Sequence, residues 1–185
     1  YEIHIQECGG GRSNLVREAA ELLQVDAFGI TKISKTHHID KYKDVEDLIA
    51  DKTSFDRVKK DNAFGVINID DGVLNSYSFE SKIYTYGINN LDADYVGKNI
   101  VQKGERLEFD IECRNELAKN TVKRFSLDII GTHNVYNALM VYVLAKQYGI
   151  SDEQIQSGFS KYKSGKIRQN VRTVAGRILY IDCFK

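Results

Sequence analysis

Apolar residues in the first seventy positions alternate between short runs and helical spacing. "YEIHIQE" predicts a strand and "CGGGR" a turn, while "DAFGITKI" and "NAFGVINID" predict two further strands. Residues 43–60 predict a helix between those last two strands, and "SNLVREAAELLQ" predicts one capped by Ser13 or Asn14. The predicted apolar face of that earlier helix consists of Leu15, Ala19, Leu22 and Leu23. Strands that alternate with helices predict parallel pairing through right-handed crossovers.

The pattern changes in the middle of the chain. "GVLNSYSFESKIYTYGIN", "RLEFDIEC" and "RFSLDIIG" are short alternating or β-branched stretches, and they predict an attached antiparallel region. A helix follows over residues 133–148 with Gly149 as its C-terminal cap, and Ser151 with Gln154 forms a capping box for the next helix. "VRTVAGRILYID" predicts a final strand pair. We therefore predict one α/β domain over residues 1–185, with a mostly parallel sheet flanked by helices and a small antiparallel β region.

Composition narrows the functional class. The 185 residues carry 26 Lys+Arg and 26 Asp+Glu, and this zero net charge argues against a nucleic-acid or anionic-membrane partner. No apolar run reaches the roughly 20 residues that span a bilayer, and three scattered cysteines indicate a reducing cytoplasm rather than a disulfide framework. Because the chain begins and ends inside predicted strands, we interpret it as part of a longer polypeptide.

Candidate metal ligands follow two of the predicted strands. Glu7 ends the first strand beside a glycine-rich turn, and His37 and His38 follow the second. Ligands gather at the carboxyl ends of parallel strands, where a carboxylate suits Mg²⁺ and a histidine could join it. Each feature taken alone is more typical of a solvated loop, and Lys52 alone is typical of a solvated surface helix.

The helix over residues 133–148 opens with a histidine and two asparagines, His133, Asn134 and Asn137. Capping explains one asparagine. The second amide needs another reason, because asparagine is unfavourable inside a helix. A helix N-terminus offers free N–H groups, and amide side chains offer the paired donor and acceptor that match an adenine edge. The segment therefore indicates nucleotide binding.

Several segments together resemble the Mur ligase family. "GTHNVYNALMVYVLAKQYGISDEQIQSGFSKY" resembles its G-x-H-N-x-x-N-A helix and the helix after it, and "DAFGITKISKTHHIDKYKDVEDLIADK" resembles its D-x-x-V-I-T-N-I-x-x-x-H-L-D segment. In the family that segment reaches a lysine fourteen residues after the histidine, which selects His38 and Lys52 here. "FGVINIDDG" and "LYIDCFK" resemble V-L-N-x-D-D and the I-D-x-Y-N strand. The resemblance covers nearly the whole chain in the right order.

The resemblance implies a function and a fold. Mur ligases are ATP-dependent amide-bond-forming enzymes of peptidoglycan precursor synthesis, with a P-loop NTPase-like central domain. They phosphorylate the carboxylate of a UDP-N-acetylmuramoyl peptide, and the amine of an amino acid or dipeptide then attacks the acyl phosphate. By resemblance, Glu7 and His38 are Mg²⁺ ligands and Lys52 is carbamylated by CO₂ to help bind a second metal.

Four further residues acquire roles from the same resemblance. Asn134 and Asn137 would hold the base region of ATP, while Arg168 and Asp182 would lie near the phosphates and ribose. The D-C-F ending is closest to the branch that adds D-alanyl-D-alanine.

Departures from the family pattern leave alternatives open. The family's phosphate loop and its N- and C-terminal domains lie outside this chain, so we expect a truncated central domain that cannot turn over alone. Lys32 replaces the asparagine of T-N-I, and Lys185 stands where asparagine is expected. The alternatives are an amide ligase like folylpolyglutamate or cyanophycin synthetase, or a degenerate homologue that acts as a binding partner.

Overall fold

Two compact units divide the chain, Tyr1–Tyr86 and Gly87–Lys185. The computed structural model describes residues 3–9, 14–36, 39–114, 121–162 and 170–181. Within these residues, no helix has the length and apolar character needed to cross a bilayer.

The first unit is built on parallel strands. β1 pairs with β2 in the register Phe28 to Gly65, and β2 pairs with β3 in the register Val66 to Tyr84. Gly65 is required by packing, because a Cβ there would lie 2.5 Å from the Ile83 side chain. The strands are β1 (Ala27–Ile30), β2 (Phe64–Asn68) and β3 (Lys82–Gly87), and the helices are α1 (Leu15–Leu23), α2 (Val45–Lys52), α3 (Ser54–Arg57) and α4 (Gly72–Ser76), with a 3-10 turn at Ile39–Lys41.

The single helix predicted over residues 43–60 is in fact two. Asp44 caps α2 by accepting a hydrogen bond from the Asp47 N–H at 2.8 Å. The helix breaks at Thr53, where the Thr53 and Ser54 hydroxyls each donate 2.8 Å hydrogen bonds to the carbonyls four residues earlier. Such back-bonding competes with a regular helix and bends it.

Helix α1 buries a different face from the predicted one. Val16 and Ala20 are its buried residues and pack with Phe28 and Phe55. Leu22 and Leu23 are 83% and 42% exposed, so the predicted face is wrong at both leucines, whereas Ala19 packs partly buried against this cluster. Two large aromatic rings leave room for small side chains, which selects the face that carries Val16 and Ala20. The cap prediction also fails at Asn14, whose side chain makes no capping hydrogen bond, and Ser13 lies outside the described residues.

The strand predicted at the start of the chain is wrong for the residues that are described. Residues 3–9 have no regular secondary structure, and Ile3 and Ile5 are 56% and 88% exposed. A strand is stabilised by a neighbour that pairs with its backbone groups, and no described strand pairs with this segment. Glu7 is therefore on an irregular segment rather than at a strand end.

The second unit contains an antiparallel meander. β4 (Tyr95–Lys103), β5 (Arg106–Cys113) and β6 (Thr121–Asp128) pair in sequence order. Leu107 and Phe109 on β5 are fully buried, while the alternating Glu108 and Asp110 lie on its other, partly exposed face. This alternation is the pattern of a sheet with one apolar face.

Two helices and a hairpin complete the second unit. They are α5 (His133–Gln147), α6 (Asp152–Lys161), β7 (Asn170–Val174) and β8 (Arg177–Ile181). Phe125 of β6 contacts Tyr142 of α5 and Phe159 of α6, with ring centroids 5.3 and 5.8 Å apart.

The local signals predicted in this unit are confirmed. Ser151 and Gln154 form the capping box, and Gly149 follows α5 with a φ of 74°. The hairpin turns at Ala175 and Gly176, both with positive φ, as a tight two-residue turn requires. The predicted fold class is also confirmed, with parallel strands and flanking helices joined to an antiparallel region. The antiparallel prediction for residues 72–89 is wrong, because the segment capped by Asp71 is helix α4 and β3 pairs parallel with β2.

Candidate active site

Lys52, the last residue of α2, has a structured environment. Its side chain is 25% exposed, and its Nζ lies 3.7 Å from Asp51 Oδ2. The same ammonium lies 5.9 Å from the ring centroid of Tyr42, within cation–π range. Lys52 is therefore held by a carboxylate and an aromatic face and is not a freely solvated charge.

Asp51 is the centre of this cluster. It is completely buried and accepts hydrogen bonds from the backbone N–H of Arg17 at 3.0 Å and from the Tyr42 hydroxyl at 2.8 Å. The pKa of Tyr42 is raised well above its usual range, mainly by burial and then by the hydrogen bond that its hydroxyl donates to Asp51. Asp51 lies on α2 next to Lys52. It therefore connects α2 to α1 through Arg17, and to the segment after the 3-10 turn through Tyr42.

A cavity of about 190 Å³ opens beside this cluster, lined by Lys32, Ile33, Ser34, Leu48 and Lys52. Lys32 lies in the loop after β1, at the position where the family pattern has asparagine. No carboxylate in the described part of the chain lies within 4.0 Å of its ammonium. The cavity therefore has two lysines in its lining, one paired with Asp51 and one with no carboxylate partner among the described residues.

The turn after β2 fixes the loop that carries Lys32. Asn68 Nδ2 donates to the Thr31 carbonyl at 3.1 Å, and Asp71 Oδ2 accepts from the Ile33 N–H at 3.3 Å. Asp71 also caps α4 by accepting from the Val73 N–H. Asparagine and aspartate typically bond nearby backbone in turns, but bonds that reach 37 or 38 residues away have no signal in the sequence.

The predicted magnesium ligands are only partly described. Glu7 is exposed, and its carboxylate is an oxygen donor suited to Mg²⁺. An ammonium has no lone pair to offer, so Lys52 could become a ligand only as a carbamate. His38 lies outside the described residues, as does His37. Across the described ranges, no three His, Cys, Asp or Glu side chains are placed to hold a metal ion together.

The asparagines at the start of α5 have different environments. Asn134 is 8% exposed, and its Nδ2 donates to the Ile130 carbonyl at 2.9 Å. Its Oδ1 accepts from Asn137 Nδ2 at 3.3 Å, and Asn137 is exposed. Neither side chain caps the helix, whose cap position is Thr132. Asn134 therefore orients Asn137, and Asn137 presents the remaining amide groups to solvent.

Gly131 shapes the entry to α5. Its φ of +102° disfavours any residue with a Cβ. A Cβ would also lie 2.6 Å from Cε1 of His133, so the imidazole packs directly over this glycine. The remaining predicted nucleotide residues, Arg168 and Asp182, lie outside the described residues.

Comparison with known proteins decides the family. The family model described as "Mur ligase middle domain" matches residues 1–145. The chain belongs to the Mur ligase family. A UDP-N-acetylmuramate–L-alanine ligase from Hydrogenobaculum is 35% identical over 144 residues, which is 75% of this chain and 30% of that protein. The chain spans between 19 and 39% of the length of the curated relatives it matches first.

Solved structures of Mur ligases share the fold. MurF from Acinetobacter baumannii is similar over 95% of this chain and 38% of its own, with a TM-score of 0.77 at 18% identity. MurF from Thermotoga maritima in complex with ADP is similar over 91% and 38%, with a TM-score of 0.74 at 16% identity. The family prediction is confirmed, whereas the D-alanyl-D-alanine branch and the residue roles stay predictions.

Proposed function

We propose that the full-length protein carrying this chain is an ATP-dependent amide-bond-forming ligase of peptidoglycan precursor synthesis in the cytoplasm. This chain is then its central ATP-binding domain, which other domains complete. The observation that carries the proposal is the 35% identity to a UDP-N-acetylmuramate–L-alanine ligase over 75% of the chain. The ADP complex of a protein with the same fold supports ATP as the nucleotide.

The proposed reaction has two steps. A carboxylate oxygen of the UDP-N-acetylmuramoyl substrate attacks the γ-phosphate of ATP, so an O–P bond forms and ADP leaves. The amine of the second substrate then attacks the acyl carbon, phosphate leaves with the bonding electrons, and the amine loses a proton. Mg²⁺, when bound, supplies positive charge that offsets the repulsion between the carboxylate and the phosphates. Glu7, His38 and carbamylated Lys52 are its proposed ligands.

Asn137 is the proposed contact for the adenine base. It is exposed, and its amide is steered by the bond from its Nδ2 to Asn134 Oδ1. Asn134 has both polar atoms of its side chain bonded within the protein, so its proposed role is to position Asn137. Arg168 and Asp182 are proposed to lie near the phosphates and ribose.

L-Alanine is the amine we propose, and D-alanyl-D-alanine is the second candidate. The first relatives, 28–36% identical to this chain, are L-alanine ligases. The MurF structures share only 16–18% identity, which supports the fold and not the branch. The second candidate rests on the D-C-F sequence at residues 182–184.

The test is substrate-dependent ADP release by the full-length protein with Mg²⁺ and bicarbonate. UDP-N-acetylmuramate with L-alanine is compared with a UDP-N-acetylmuramoyl tripeptide and D-alanyl-D-alanine. We expect release only with the first pair, and a loss of at least about 100-fold in Lys52→Ala, the scale of a lost transition-state contact. Lys43→Ala is the matched control, because that side chain is 87% exposed near the start of α2.

Other outcomes separate the remaining candidates. Release only with the tripeptide and dipeptide would assign the D-alanyl-D-alanine branch. Release with neither pair, although the protein binds ATP, would contradict both of these branches and favour another Mur ligase branch or a sister ligase such as folylpolyglutamate synthetase. A protein that binds no ATP would be a degenerate homologue.

A further inference from the structure

Two lysines line one cavity in the first unit, although the family pattern provides only one of them. Lys52 and Lys32 both line the cavity of about 190 Å³, as does Ser34 in the loop after β1. Lys32 is exposed, and its ammonium has no carboxylate partner among the described residues. Its loop is held by the bonds from Asn68 to Thr31 and from Ile33 to Asp71. The Lys32 charge is therefore carried on a segment that these hydrogen bonds fix.

Carbamylation of Lys52, which belongs to the proposed function, would change the charge balance of this cavity. The neutral amine attacks CO₂ from bicarbonate, the N–C bond forms, and a C=O electron pair moves onto oxygen. Counted from the ammonium, two protons pass to solvent, and the side chain changes from one positive to one negative charge. The modified side chain then carries a negative charge that nearby cations stabilise, the proposed Mg²⁺ among them.

Asp51 restricts where that carbamate can lie. Its Oδ2 is 3.7 Å from Lys52 Nζ, and it is buried and fixed by Arg17 and Tyr42. A carbamate beside it would place two anions close together. The Asp51 carboxylate could not move away, because the hydrogen bonds from the Arg17 backbone and the Tyr42 hydroxyl hold it in place. The carbamate must therefore turn from Asp51 into the cavity. Among the described residues that line the cavity, Lys32 is the cation besides Lys52 itself.

We propose that Lys32 is a positioning residue that supplies the counter-charge for a carbamate on Lys52. The inference rests on the proposed function, since it needs Lys52 to be carbamylated. It also gives a physical reason for lysine in place of the family's asparagine. Lys32 would stabilise the modified side chain and would not itself touch the reacting atoms.

The experiment measures carbamate occupancy directly, by ¹³C NMR of the full-length protein in ¹³C-bicarbonate. A carbamate signal that disappears in Lys52→Ala is assigned to Lys52. We expect Lys32→Asn to need about three- to fivefold more bicarbonate for the same occupancy, the scale of a partly exposed ion pair. Lys32→Arg should restore the occupancy because it keeps the charge. Lys35→Asn is the matched control, since this exposed lysine lies in the same loop outside the cavity lining.

The outcomes distinguish the two proposals. A wild-type protein that turns over without a carbamate signal would overturn carbamylation, and this inference with it. A wild-type carbamate whose occupancy is unchanged in Lys32→Asn would overturn the role of Lys32 alone. An equal loss in Lys32→Asn and Lys35→Asn would also overturn it, because the effect would then be general electrostatics. Higher salt should reduce the difference between wild type and Lys32→Asn.

Discussion

Replacing Asp51 by alanine should destabilise the first unit severely. Its carboxylate is 0% exposed and accepts hydrogen bonds from the Arg17 N–H and the Tyr42 hydroxyl. Hydrogen bonds to a charged group each contribute about 1.5–3 kcal/mol, so losing both costs about 3–6 kcal/mol. The loss approaches the whole free energy of unfolding of a typical domain, which starts at about 5 kcal/mol. Asp51→Asn keeps one acceptor oxygen and should lose about half as much.

Urea unfolding followed by far-UV circular dichroism measures these losses. A changed midpoint at an unchanged slope reports stability alone. Asp47→Ala is the matched control on the same helix, because Asp47 is 31% exposed and its Oδ1 lies 3.6 Å from Arg17 Nη2. A partly exposed pair of this kind contributes about 1 kcal/mol or less.

A double-mutant cycle with Tyr42→Phe tests the cause of the loss. Direct contact predicts a coupling free energy of about 0.5–3 kcal/mol between Asp51 and Tyr42. Equal losses in Asp51→Ala and Asp47→Ala, or no coupling to Tyr42, would refute the assignment of Asp51 as the centre of this cluster.

Three further predictions concern protonation and backbone conformation. The raised pKa of Tyr42 contributes stability below pH about 10 that is lost as pH rises toward the folded-state pKa, so Tyr42→Phe should flatten the alkaline decline in urea midpoints. Gly131→Ala should lose about 1–3 kcal/mol in thermal unfolding, while Gly72→Ala, where a Cβ meets open space, should lose far less. The Arg124 guanidinium lowers the pKa of Glu108, which contributes stability above pH about 4.3 that falls away in acid. Arg124→Gln should therefore raise the pKa of Glu108 measured by NMR.

Elements with local signals could be predicted from the sequence. The helix that begins at His133 and the capping box at Ser151 depend on residues within one or two turns of each other. The first strand could not be predicted correctly, because alternation at Ile3 and Ile5 says nothing about whether a neighbouring strand is present. The buried face of α1 was also missed, since Phe28 and Phe55, distant in sequence, select Val16 and Ala20.

The candidate site likewise contains residues that the sequence predicts and residues that only the tertiary structure reveals. Lys52 was selected by resemblance alone, since a helical lysine is normally solvated. Asp51 was not predicted, because its burial depends on α1 lying against α2 and on the Tyr42 hydroxyl. The two asparagines of α5 were predicted together, but they are three residues apart, so they differ by about 60° around the helix axis, and this rotation separates an inward from an outward position. Asn134 is buried and Asn137 is exposed.

Transfer of carboxylate oxygen to phosphate tests the central claim most directly. The full-length protein would be given ATP, L-alanine and UDP-N-acetylmuramate labelled with ¹⁸O in its carboxylate, and the inorganic phosphate would be analysed by mass spectrometry. Activation as an acyl phosphate predicts one ¹⁸O atom in each phosphate released, because the carboxylate oxygen that attacks ATP leaves with phosphorus. Phosphate without label, formed at the same rate as ADP, would mean that water attacks ATP and would contradict the ligase account.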